Sequence, residues 1–321
     1  MKKIKTLIIG GGISGLYMGY LLRKDFLICE AKKREKIKYF SPISYLHKQI
    51  NLPMKLKPID IFKGILWNKN FHNTGNLVAM NHYAVKTIDK LSANSIKFID
   101  GKPDVGYYPE TNCMNDIGKV LENYVIGNIR YSADLQRLDT KNHIAYFACL
   151  GNETIVEYDF LITTIPLNIM FDLIYDGRDI IEKPTHTELR MKETQIWIIE
   201  LDEHYDGCQI VYNCDIDTPI FRYFLIGNVL GIEGEVGFDI DDYKDDVEYL
   251  FMIEPSQYKV VELSSQRFIP IPIHDRKKLM RGFTEKYRIF CLGRYAVWDY
   301  KRFDHIVDDA DTILKIIETL S

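Results

Sequence analysis

The sequence predicts an α/β protein in which both chain termini build one mixed domain and a second, α+β domain is inserted between them. Three observations carry that prediction: a short apolar strand, glycine-rich turn and helix at the N-terminus; an acidic residue closing the next strand; and a late apolar strand ending in Gly293-Arg294 before a terminal helix. The 321 residues suffice for one large core or two modest ones, which excludes a disulfide-dependent scaffold. With 46% hydrophobic and 27% charged residues, the composition is that of a globular chain, not a disordered or fibrous one. The 41 basic and 45 acidic residues nearly cancel, so no nucleic-acid partner is expected. Cys29, Cys113, Cys149, Cys208, Cys214 and Cys291 form no Cys-x-x-Cys pair or zinc-like spacing, so free thiols and no metal site are expected. No export signal and no run of roughly 18 apolar residues is visible, so no membrane association and a cytoplasmic location are expected.

Residues 4 to 9 read as a strand that stops at Gly10-Gly11-Gly12-Ile13-Ser14-Gly15, and Leu16 to Lys24 read as the following helix. Gly10 permits the tight turn, Gly12 lets a diphosphate approach the backbone, and Gly15 lets the helix pack against the strand. Ser14 lies in the same turn, where exposed helix N–H groups can hold phosphate. Phe26 to Cys29 is the next parallel strand, and Glu30 closes it where a carboxylate can accept both hydroxyls of an adenosine ribose. An acidic residue there argues against a ribose phosphate. Lys32, Lys33, Arg34 and Lys36 read as a solvated face.

The run Ile8 to Leu16 together with Glu30 resembles the FAD-binding fold shared by flavin amine oxidases and UDP-galactopyranose mutase. The resemblance implies a Rossmann-like FAD-binding domain with an interwoven second α+β substrate domain. These enzymes continue into a glycine- and arginine-rich segment that helps bind the FAD diphosphate, whereas this chain has Tyr39-Phe40-Ser41-Pro42-Ile43-Ser44-Tyr45.

Residues 46 to 110, punctuated by Pro53, Pro58, Gly64, Gly75 and Pro109, carry only short, irregular apolar stretches and are assigned to a substrate-facing subdomain. Asn112 to Tyr124 has helical spacing, and Asn128 to Leu138 reads as a strand and connection. Ile144 to Ala148 and Thr154 to Tyr158 read as a hairpin around Gly151-Asn152, with Asp159 to Pro166 as a further buried strand and turn. The resemblance places Leu135 near the adenine-binding strand, although a core residue is an equal reading. Further on, Trp197 to Ile199 and Gln209 to Tyr212 are strand-like, with Asn213 and Asp215 able to order the turn that follows. The segment Asp215 to Arg222 resembles one of the mutase-related flavoproteins and puts Arg222 at the flavin-side substrate pocket, where a planar guanidinium would hold phosphate or carboxylate. A structural salt bridge is the competing reading. Asp239, Asp241, Asp242, Asp245 and Asp246 read as a solvated acidic patch, and Ser265 to Pro272 as an extended return.

Tyr287 to Leu292 is the final strand, followed by Gly293-Arg294, the stretch Tyr295 to Arg302, and a helix through Leu320. In the resembling family the glycine-arginine turn contacts FAD, the next aromatics border the flavin, and the last helix points its N-terminus at the cofactor. The resemblance therefore implies Gly10, Gly12, Ser14, Gly15, Glu30, Leu135, Gly293, Arg294 and His305 as cofactor-binding residues, with Arg222, Trp298 and Tyr300 as the catalytic set, although packing at the domain junction is an equal reading for Trp298 and Tyr300. His305 also reads as a helix cap. The division expected is an FAD-binding domain from 1–45, 108–168 and 286–321, with 46–107 and 169–285 as the substrate domain. The function implied is an FAD-dependent oxidoreductase taking hydride from a small-molecule substrate. The alternatives are a nucleotide-sugar mutase using reduced FAD, with Arg222 and Arg294 on a diphosphate, and a non-catalytic flavin-binding protein. Oligomeric state is left open.

Overall fold

The structure, a computed structural model, describes residues 2–37, 39–40, 44–87, 96, 98–175, 191–253, 259–268 and 273–321. Numbered along the chain, the strands are β1 (Lys2–Ile9), β2 (Phe26–Cys29), β3 (Leu56–Trp67), β4 (Asn70–His72), β5 (Asp104–Pro109), β6 (Ile129–Arg130) and β7 (Ala133–Asp139). They continue with β8 (Ile144–Cys149), β9 (Asn152–Thr163), β10 (Ile174–Tyr175), β11 (Met191–Asn213), β12 (Ile220–Gly234), β13 (Lys259–Phe268) and β14 (Ile289–Cys291). The helices are α1 (Ile13–Leu22), α2 (Leu77–Thr87), α3 (Asn115–Val125), α4 (Leu167–Leu173), α5 (Lys244–Phe251), α6 (Ile273–Tyr287) and α7 (Phe303–Leu320). Of the expected return Ser265 to Pro272, residues through Phe268 belong to β13; 269–272 lie outside the described residues, as do 41–43 of the segment after Glu30.

Two sheets organise these elements. The first runs β10-β7-β8-β9-β1-β2-β6, with β14 also paired to β9. Its parallel part is β6-β2-β1-β9-β14, while β7, β8 and the start of β9 form an antiparallel meander. One strand joins the two parts. The sequence suggests a hairpin strand and then a separate buried strand, but β9 is continuous over Asn152–Thr163, running through Asp159 without a break. Its first half alternates in burial and pairs with β8; from Phe160 to Thr163 every residue is buried between β1 and β14. That switch is what a strand passing from a one-faced meander into a helix-covered parallel sheet requires.

The second sheet runs β12-β11-β3-β4, with β13 on β11 and β5 on β3. The strand-like runs at Trp197 and Gln209 belong to the single strand β11, whose register shifts between Glu200 and Cys208. Before the shift β11 pairs with β13; after it, β11 pairs in parallel with β3. Such irregularities re-aim a strand, and here they let one strand serve two neighbours. β3, within the region that reads as irregular, is a full strand despite Pro58 and Gly64. Gly64 is needed because the Phe71 ring lies where its side chain would be.

The expected domain limits differ from sheet membership at two places. β10 adds to the first sheet although it lies beyond residue 168. α6 also belongs with the first sheet, since Phe283 and Tyr287 pack into the apolar cluster formed by β1, β7, β8 and β9. Local composition cannot reveal this, because an amphipathic helix between domains can pack on either.

Arg34 departs from the solvated face assigned to it. Its guanidinium donates to both oxygens of Glu122 on α3, at 2.8 and 3.0 Å, and Tyr131 donates to the same carboxylate. Burial alone would raise the Glu122 carboxyl, but hydrogen bonds from Arg34 and Tyr131 outweigh it and hold the group below its ordinary value. Asn115 Oδ1 accepts the N–H groups of Tyr39 and Phe40, and the Tyr39 ring lies directly on Gly118. Replacement of Gly118 by Ala is expected to drive a methyl group into that ring and cost about 1–3 kcal/mol, more than the ~1 kcal/mol gained from helix propensity. A lower urea midpoint is the expected result; an unchanged or raised one would contradict this packing.

Candidate functional site

The glycine turn between β1 and α1 is built by contacts that tolerate no side chain. Gly10 has φ +101° and donates its N–H to the Cys29 carbonyl at 2.8 Å. A methyl group on Gly15 would collide with the Gly10 carbonyl oxygen, so this glycine sets how closely α1 follows the strand. Gly12 differs, because no atom lies within 4 Å of the position its side chain would take. Gly12 is also the N-cap of α1, and no side chain caps the helix. Uncapped amides facing open space make a backbone cradle for an anion such as a diphosphate.

The C-terminal turn meets the same place. Leu292 donates to the Thr163 carbonyl and Thr164 to the Ile9 carbonyl, both at 2.9 Å, so β9 aligns the ends of β1 and β14. Gly293, with φ +97°, then lies against Ser14: a side chain there would come within 2.6 Å of the serine Oγ. Residues nearly 280 positions apart thus share one edge of the cradle. Glu30 lies at the other edge, its carboxylate accepting N–H bonds from Gly11 at 2.6 Å and Lys32 at 2.8 Å. Its carbonyl accepts from Ala133 at 2.9 Å, which ties the start of β7 to the acidic strand end. Leu135, two residues on, turns its side chain into the first sheet's core.

The remaining candidates separate. Arg294 is exposed, with its guanidinium 5.6 Å from the Tyr295 ring centre. Tyr300 is half-buried against the core of the first sheet. Trp298 is 0% exposed and packed in that core, which favours its packing reading. His305 Nδ1 accepts the Arg302 N–H at 3.4 Å, the capping geometry at the start of α7.

Arg222 lies on β12 beside Tyr212, and its Nε donates to Glu233 in an ion pair. The guanidinium also covers the Phe224 ring at 4.5 Å. On β12, Arg222, Phe224 and Ile226 alternate onto the face that joins the apolar cluster of α1 and α7, so Arg222 looks from the second sheet toward the first. Asn213 and Asp215 order the next turn: Asp215 accepts the N–H groups of Asn68 and Lys69 at 2.5 and 3.0 Å. Lys86 donates to the Asp215 carbonyl at 2.6 Å, and burial pushes its amine down to about 8. Asp239 caps the turn at Ile240, and among the described residues no group of three or more His, Cys, Asp or Glu side chains is arranged to hold a metal ion. No helix of the described residues is long and apolar enough to cross a membrane.

Several residues in this cleft escape the sequence reading. Tyr45 lays its ring on Gly106 beside Ile61, and burial raises its hydroxyl while Arg302 and Arg222 act in the opposite sense. The His47 ring lies tilted against it with centres 4.5 Å apart, and its imidazole is lowered to about 4, first by burial and then by Arg302. Their only sequence signal is the basic pair Lys301-Arg302 at the start of the terminal helix, because the loop carrying Tyr45 lacks a motif.

Replacing Arg222 with Met is expected to cost about 3–5 kcal/mol by removing the ion pair to buried Glu233, and adding Glu233→Leu should restore much of that loss. Urea denaturation of the single and double variants measures it; equal losses in both would remove the ion pair as the cause.

No family model and no curated protein matches the chain. Among solved structures, reduced UDP-galactopyranose mutase aligns over 99% of this chain and 95% of its own at 12% identity, with a TM-score of 0.65. A conjugated-linoleic-acid-producing fatty acid isomerase from P. acnes aligns over 97% and 98% at 12% identity and TM-score 0.59. The p-nitrophenol 4-monooxygenase of Pseudomonas putida DLL-E4 aligns over 100% of this chain and 82% of its own at 11% identity and TM-score 0.55. At such identities the likeness concerns the backbone, and what it establishes is a fold related to that of the FAD-binding flavoenzymes.

Proposed function

We propose that the chain binds FAD at the glycine turn and acts as an FAD-dependent oxidoreductase on a small organic substrate held between its two sheets. The observation that carries this reading is the uncapped start of α1, with open space over Gly12 and Gly293 closing one side. The α1 amides would hold the diphosphate, and Glu30 the adenosine ribose hydroxyls through acceptor sites left beside its two backbone bonds. Arg294 is placed to add charge at the turn, while Leu135 contributes through its backbone strand and packing. FAD, when bound, supplies a hydride acceptor. This chain's own task is positioning and exclusion of water, for which the apolar inner face of the second sheet is suited: Ile61, Ile65, Ile210, Phe224 and Ile226 are all buried there. Tyr300 remains the accessible aromatic candidate beside the C-terminal turn, and His305 serves the helix that follows.

A second reading, a nucleotide-sugar mutase using reduced FAD, is favoured by Arg222 on the inner face and by the full-length likeness to reduced UDP-galactopyranose mutase. The two readings share a cofactor and differ in substrate, so anaerobic mixing separates them. Net bleaching of flavin absorbance by an organic donor supports oxidation, whereas sugar isomerisation without net reduction supports the mutase. Flavin that binds but supports neither reaction points to the non-catalytic alternative.

Gly12→Ala tests cofactor placement. The added methyl meets no protein atom, so the thermal midpoint of the flavin-free chain should stay unchanged while flavin content after purification falls at least tenfold. Full flavin retention in this variant, or a wild-type chain that takes up no FAD on reconstitution, would defeat the proposal.

A further inference from the structure

Among the described residues, Arg302 at the start of α7 is a cation not neutralised at hydrogen-bond distance. Around it the charges are matched: Lys63 pairs with Asp104, Arg222 with Glu233, Lys48 with Asp308 at 2.7 Å, and Lys301 with Asp309 at 2.7 Å. Arg302 has only Asp304, whose Oδ1 lies 3.6 Å from Nε, and that carboxylate also faces His305 at 4.0 Å. Arg302 Nε is itself buried with no hydrogen-bond partner, although 40% of the side chain remains exposed and reachable. A buried guanidinium N–H without an acceptor is unfavourable, which makes the site better suited to a bound oxyanion than to a permanently empty state.

Arg302 is also held in place. The next residue, Phe303, packs edge-on against Tyr17 at 5.6 Å and Phe40 at 5.4 Å, so the start of α7 is anchored to α1 and to the segment after Glu30. From the other side, Leu46 exchanges backbone hydrogen bonds of 3.0 and 2.8 Å with Tyr107 of β5. This bridges the Tyr45–His47 loop to the second sheet and sets both side chains in the field of Arg302. Tyr45 also feels Arg222, so guanidinium groups from both domains act on one hydroxyl.

We propose that Arg302 recognises an oxyanion group of the substrate, a carboxylate or a phosphate, at the start of α7. As a statement about substrate this rests on the flavoenzyme reading above; as an anion site it stands on the side chains alone. A planar fork matches either oxyanion, so the substrate class is a small organic acid or phosphate ester. Arg302 is a binding and specificity residue and transfers no proton.

The test is calorimetric titration of the purified chain with pyrophosphate and, separately, malonate at low ionic strength, with flavin content measured on the same samples. Wild type should bind at least one of the two, and the one preferred identifies the group as phosphate or carboxylate. Arg302→Gln should weaken that binding at least tenfold, and Arg302→Lys should recover part of it by keeping charge without the fork. Lys48→Gln, which removes a neighbouring exposed charge, should bind as wild type. The proposal is overturned if neither anion binds wild type, if Arg302→Gln or a folded Arg302→Lys binds as wild type, or if Lys48→Gln loses as much as Arg302→Gln. Flavin-free samples that still bind the anion through Arg302 would sink the cofactor reading and leave the anion site; flavin-loaded samples that bind no anion would do the reverse.

Discussion

The close approach of α1 to the end of β1, possible only because Gly15 presents no side chain to the Gly10 carbonyl, is the contact on which the rest of the site depends. It directs the first amides of α1 toward the open space over Gly12 and places Ser14 where Gly293 can lie against it. A larger residue at either point would separate the N-terminal turn from the C-terminal one. The continuous strand β9 makes that convergence exact in register, because it pairs Ile9 and Cys291 with the same Thr163.

Around this contact the two sheets share one apolar cluster. Residues of α1, α3 and α7 pack with the inner face of β3, β11 and β12, so the second sheet is seated on the first and does not hang from linkers. The few polar groups on that face, Lys63, Tyr212 and Arg222, therefore act in surroundings where charge is poorly screened. Pairing with Asp104 and Glu233 answers two of them, which leaves Arg302 at the rim as the cation with most to gain from a ligand.

The glycine turn was legible because each of its glycines answers a local demand: a positive φ at Gly10, close packing at Gly15, open backbone at Gly12. β1, β2 and α7 were legible from short apolar runs and from helical spacing. The sequence left Trp298 open between bordering a ligand and packing the domain junction, because an aromatic residue next to a turn and one beneath it have the same sequence neighbours; its complete burial favours packing. Arg34 and Glu122 are 88 residues apart and Arg222 and Glu233 lie on one long strand, so neither ion pair leaves a spacing signal of the helical kind. The Tyr45–His47 loop carries no motif at all, and its place in the cleft follows from the Leu46–Tyr107 bridge.

By itself, then, the sequence determined an α/β chain whose termini supply a dinucleotide-type turn, since strand, turn and helix at residues 2 to 22 are set by backbone conformations that few other residues permit. The three observations at the two ends of the chain remain the framework of the first sheet. Tertiary structure decided which side chains meet: that α6 joins the first sheet, that Trp298 goes inside, and that Tyr45 lies on Gly106 beside His47. Those pairings depend on long-range packing and on the burial of charge, which act between residues hundreds of positions apart and leave no periodic trace along the chain.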